Sequence, residues 1–122
     1  MRSRGRLHRH DVPEIKPGQW ERIAELLSDP GSKLMPHDVG MRAGIDYELA
    51  RTLLLTLARD KLADKYFLVY HKCSEAPAGR RPMNKGFQPI PWRCPLCDEV
   101  VVDSSEISYD MMFEVKCKIE IV

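Results

Sequence analysis

An α+β protein is predicted by three features of the sequence. Apolar residues recur at helical spacing through the first half, and they alternate one by one with polar residues from Ile107 onward. Between these patterns sits the Cys-Pro-Leu-Cys turn at 94–97, inside the stretch "WRCPLCDE". At 122 residues the chain suits one domain or two small lobes sharing a core. A core of that size gains from a structural metal.

Taken in order, the stretch "MRSRGRLHRH" offers only Leu7 to bury, and residues 1–19 are expected to be a basic flexible tail. Trp20, Ile23, Ala24 and Leu27 then form one helical stripe, ended by Asp29-Pro30-Gly31. A second short helix starts at Pro36 and leaves through Ala43-Gly44. Asp46 is suited to cap a third, with Leu49, Leu53 and Leu57 on one face. "KYFLVYHKC" turns to strand-forming residues. Residues 74–93 contain four prolines and no apolar period, which predicts a long loop. "EVVVD" is a short strand, and the alternation from Ile107 to Ile121 predicts a half-buried strand broken near its start.

Charge is unevenly placed. Residues 1–19 balance at +3, residues 20–73 at zero, residues 74–93 at +3, and residues 94–122 at −5. The N-terminus lacks a signal-peptide core, and the run around Leu53–Leu55 is far too short to cross a bilayer. A cytoplasmic protein with no membrane partner is expected, and there four cysteines point to metal rather than disulfides.

A C-x-x-C turn supplies two thiolates to one side of a zinc tetrahedron. "CPLC" in a loop feeding a strand resembles the knuckle of a zinc ribbon, which implies one structural Zn2+ per chain held by Cys94 and Cys97. Cys73 is the third candidate, because it would staple the loop at its other end. Closing about twenty residues removes chain entropy worth about 3 kcal/mol. The fourth place is open between Cys117 and His71, with water, His37 and Asp110 behind them. Cys117 would complete an all-cysteine shell but also fits the buried phase of the last strand. His71 lies two before Cys73 and shares its strand face. A redox pair would need a strand before and a helix after the turn, where this chain has prolines and a β-run. Neither H-E-x-x-H nor a deaminase signature occurs, so no catalytic residues and no enzyme are expected.

The stretch "LMPHDVGMRAGIDYELARTLLLTLARDKLADKYFLVYH" gives helices joined by a tight turn and followed by a strand. It resembles the winged helix-turn-helix superfamily over residues 20–73, with 74–122 as a small antiparallel β zinc-ribbon-like lobe. The resemblance implies a transcription-type, regulatory role in which the third helix meets DNA. At about 100° per residue, Glu48, Arg51, Thr52, Leu55 and Arg59 face outward. Arg42, Arg51, Thr52 and Arg59, with Arg80 and Arg81 in the basic loop, are the nucleic-acid candidates. Asp46 and Glu48 suit phosphate poorly, though they also satisfy the helix dipole. The neutral middle, the outward Leu55 and the −5 terminal lobe favour the alternative, a protein–protein adaptor built from the same lobes.

Overall fold

Helix-starting prolines and one capping aspartate set out the first half of the chain. The computed structural model describes residues 4–122, so Arg2 of the basic arm lies outside the described residues. Helix α1 (Pro17–Leu26) opens on Pro17, and α2 (Pro36–Ala43) opens on Pro36, where a missing N–H costs nothing. Gly44 ends α2 at φ 74°, a left-handed conformation that glycine adopts without strain. Helix α3 (Tyr47–Arg59) is capped by Asp46, whose Oδ1 accepts from the Leu49 N–H at 2.7 Å. The amide of Gln19 donates to the Gly44 carbonyl at 2.9 Å, tying α1 to the exit of α2.

Among the described residues there are eight strands: β1 (Arg4–Leu7), β2 (Lys33–Leu34), β3 (Ala63–His71), β4 (Gly79–Pro82), β5 (Trp92–Arg93), β6 (Val100–Val101), β7 (Ile107–Val115) and β8 (Lys118–Ile121). The chain divides into a first unit, Met1–Lys65 with Phe113–Val122, and a second unit, Tyr66–Met112. The first unit holds the three helices, the parallel pair β1–β8, and β2 paired antiparallel to the end of β7. Its core is built from Leu7, Val12, Trp20, Ile23, Leu27, Leu53, Leu54, Leu57 and Phe113. In the second unit β7, β3 and β4 lie side by side, and β5 pairs with β6 as a short ribbon. Val69, Cys94, Val101 and Ile107 form its buried cluster. No helix among the described residues is long and apolar enough to cross a membrane.

The α+β expectation agrees with this architecture, and several local readings need correction. Residues 4–19 are not a flexible tail: Arg4–Leu7 pair with Lys118–Ile121, and Leu7, Val12 and Ile15 are buried. In strand geometry Gly5 and Leu7 turn inward while Arg4 and Arg6 stay exposed, so the basic composition concealed an alternating strand. Residues 74–93 are not one open loop, because Gly79–Pro82 pair antiparallel with Tyr66–Val69. The terminal β-run is two strands, broken at Lys116-Cys117 rather than near its start. On α1 Leu26 is buried and Ala24 exposed, and on α3 the buried face includes Leu54, with Leu49 and Leu55 half-buried. The division at residues 65–66 and 112–113 also differs from a boundary at 73–74, since β3 and β7 each carry the chain from one unit to the other.

Candidate metal centre

Two turns, each fixed by its own backbone, bring the candidate ligands together. Strand β3 ends at His71, and the Ser74 N–H donates to the His71 carbonyl at 3.2 Å, curling the chain so that Cys73 falls in a turn. Cys73 is therefore not a strand neighbour of His71, yet both side chains reach the same place. On the other side, β5 and β6 enclose the Cys94–Glu99 turn. The Cys94 N–H donates to the Glu99 carbonyl at 2.9 Å, and the Asp98 N–H to the Cys94 carbonyl at 2.8 Å. Asp98 sits at φ 64°, a left-handed position that aspartate tolerates better than most residues. Arg93 closes the turn from outside, donating through Nη1 to the Asp98 carbonyl at 3.0 Å.

Four side chains converge here: His71, Cys73, Cys94 and Cys97 offer ligand atoms that all lie within 4.8 Å of one another. The Cys73 and Cys94 sulfurs are 3.8 Å apart, and Cys97 Sγ is 3.4 Å from His71 Nδ1. Such a set could hold a metal ion. Sulfur–sulfur edges of a tetrahedron with bonds of about 2.3 Å are close to 3.8 Å, the spacing zinc requires. Cys94 is fully buried and His71 is 1 % exposed, while Cys73 and Cys97 lie toward the surface. Trp92 meets the His71 ring edge-on, with centroids 6.3 Å apart, and shields the histidine.

Electrostatics favour one thiolate at this spot, on Cys94, and oppose another on Cys73. Burial works against a charged Cys94, but the backbone N–H groups of Cys97 and Leu96 and the thiols of Cys73 and Cys97 outweigh it and bring Cys94 down to about 7. Burial and the neighbouring sulfurs of Cys97 and Cys94 push Cys73 up to about 12. One negative sulfur thus forms readily, and the next waits for a cation, which a divalent metal supplies. His71 is biased upward by its bond to Glu106, whose Oε1 lies 3.2 Å from Nε2, against an opposing effect of burial. Glu106 is held below the usual carboxylate range by His71 and Lys72, with Lys72 Nζ at 3.3 Å. The Nδ1 edge faces the sulfurs and the Nε2 edge faces a carboxylate, the arrangement that orients a metal-bound imidazole.

Comparison with protein families, with curated proteins and with solved structures finds no match to this chain. Cys73, Cys94 and Cys97 meet as the sequence suggests, and the fourth partner is His71. Cys117 is not part of the group. It belongs to the first unit, at the break between β7 and β8, and is buried. A side chain on Gly5 would collide with Leu62 and come within 3.2 Å of Cys117 Sγ, so this thiol packs against β1 as a small apolar group. His37 and Asp110, the remaining alternatives, are exposed and outside the cluster.

No motif in the sequence marks Glu106 as a partner of this site. It lies 35 residues from His71 in sequence and precedes β7 in a short 3-10 turn, Ser104–Glu106. Replacing it with glutamine keeps the shape and removes the charge. Glu106→Gln is expected to weaken metal affinity roughly tenfold or more, as second partners of ligating histidines do. Competition with a chromophoric chelator measures this, and an unchanged affinity would show that the contact is incidental.

The nucleic-acid candidates are dispersed in role. Arg42 and Thr52 are exposed. Arg51 is paired with Glu48 at 3.6 Å. Arg59 is held by Asp60 at 3.0 Å and Asp11 at 3.3 Å. On β4, the Arg80 guanidinium lies 4.6 Å over the Tyr66 ring, and Arg81 donates to the carbonyls of Gly86 and Lys85.

Proposed function

We propose that the His71, Cys73, Cys94 and Cys97 group holds one structural zinc ion in a non-catalytic regulatory protein that binds DNA through a winged-helix-like region. The observation that carries the metal reading is the convergence of three sulfurs and one imidazole within 4.8 Å. Three thiolates and a histidine fill a tetrahedron and leave no open position for water, so the ion serves the fold rather than a reaction. Support for the binding role comes from three helices followed by a β-hairpin, with a tight glycine turn before α3. Arg42, Arg51, Thr52 and Arg59 of the first unit are the side chains proposed for the helical contact, and Arg80 and Arg81 of the second unit are proposed, by themselves, for phosphate.

A second reading, an adaptor for another protein, is favoured by one set of observations. Carboxylates already neutralise Arg51 and Arg59, and Leu96, Val100 and Val102 leave apolar surface in water. A salt titration against random duplex DNA separates the two. The DNA reading predicts affinity falling steeply with salt, with a slope of about −0.9 per phosphate neutralised. Failure to bind at low salt removes it and leaves the adaptor.

A further inference from the structure

Between β4 and β5 the chain presents an aromatic ring that the zinc cluster does not use. Residues 74–93 carry Arg80, Arg81, Lys85 and Arg93 against one acid, Glu75. Within that basic segment a 3-10 turn (Met83–Lys85) and Gly86, at φ 74°, lead into Phe87. The backbone on both sides of Phe87 is pinned. Arg81 Nε donates to the Gly86 carbonyl at 3.1 Å and its Nη2 to the Lys85 carbonyl at 3.2 Å. On the following residue the Gln88 N–H donates to the Tyr109 hydroxyl at 2.9 Å.

The ring itself is mounted from behind. It stacks on Phe67 with centroids 5.3 Å apart and planes at 27°, and it meets Tyr109 at 4.7 Å. Even so, Phe87 is 66 % exposed. A lone exposed side chain needs no explanation, but this one has a fixed orientation and neighbouring cations. Two of the five N–H donors of Arg81 hold the loop and the others remain for a ligand. Lys85 is exposed two residues before the ring.

We infer that Phe87 is a stacking platform for one unpaired base of a single-stranded nucleic acid, with Arg81 and Lys85 taking the adjoining phosphate. A flat ring accepts any base on its π-face, and a cation beside it meets the backbone. Bases inside a duplex are already stacked on one another, which makes the single strand the fitting ligand. The inference rests on the nucleic-acid reading, shares Arg81 with it and uses no residue of α3.

The test uses the zinc-loaded full chain with a fluorescent oligothymidylate and, separately, a duplex. Phe87→Ala and Phe87→Leu are each expected to weaken oligothymidylate binding about tenfold, and Phe87→Tyr to preserve it. Lys85→Ala is expected to reduce the salt slope by about 0.7. Zinc content and circular dichroism matching the wild type establish that each variant is folded. Leucine keeps apolar bulk against Phe67 and Tyr109 while removing the π-face, so wild-type binding by Phe87→Leu overturns the platform. No binding of oligothymidylate at low salt overturns it as well. Single-strand binding lost through Arg42→Ala with Arg51→Ala, but untouched by Phe87→Ala, overturns the platform while sparing α3. A protein ligand retained by Phe87→Leu and lost by Phe87→Ala would place an apolar partner there instead.

Discussion

Cys94→Ser is expected to lose the metal and, with it, the ordered packing of the second unit. The cysteine is fully buried, and it packs with Val69, Val101 and Ile107. Its sulfur is also the one whose surroundings most favour the thiolate. Serine offers a hard oxygen whose proton is not released near neutral pH, so one corner of the tetrahedron fails. Structural zinc contributes about 10–16 kcal/mol in small zinc-finger peptides, whereas whole domains are stable by only about 5–15 kcal/mol. The loss should therefore exceed what this small apolar cluster supplies alone. Elemental analysis should find no zinc in the variant, and near-ultraviolet circular dichroism should show weakened aromatic signals. A variant keeping one zinc and the wild-type spectrum would remove Cys94 from the site.

His71→Ala and Cys117→Ser should give opposite results. The histidine supplies Nδ1, 3.4 Å from Cys97 Sγ, and its replacement is expected to release the metal. It also strands Glu106, whose carboxylate is left beside Lys72 only. Cys117→Ser should keep the metal in full, because that thiol belongs to the first unit. Its effect is confined to packing, since a buried hydroxyl replaces a small apolar sulfur near Gly5. Zinc content and thermal melting of the two proteins, measured side by side, distinguish ligand from filler. Equal metal loss in both would mean that Cys117 enters the coordination shell.

Local signals explain which parts of this architecture can be read from residues. Pro17, Pro36, Gly44 and Asp46 each act on their own turn: the two prolines and Asp46 set where the three helices begin, and Gly44 sets where α2 ends. Cys94 and Cys97 are likewise a local pair. Long-range pairing is what the pattern concealed. Arg4–Leu7 form a strand only because Lys118–Ile121 lie beside them, and no property of "RGRL" announces that partner. Gly79–Pro82 join β3 through backbone bonds that "GRRP" does not advertise. The choice between His71 and Cys117 turned on the same limit. Both fit a buried strand position, and only the tertiary structure, which brings His71 and not Cys117 beside the other three cysteines, separates them. Glu106 reaches His71 through tertiary structure alone.

X-ray absorption spectroscopy at the zinc edge on the purified protein addresses the centre itself. A closed site built from His71, Cys73, Cys94 and Cys97 predicts about one zinc per chain, with a shell of three sulfurs near 2.3 Å and one nitrogen near 2.0 Å. A fully folded protein free of metal, or a shell of four sulfurs, would contradict it.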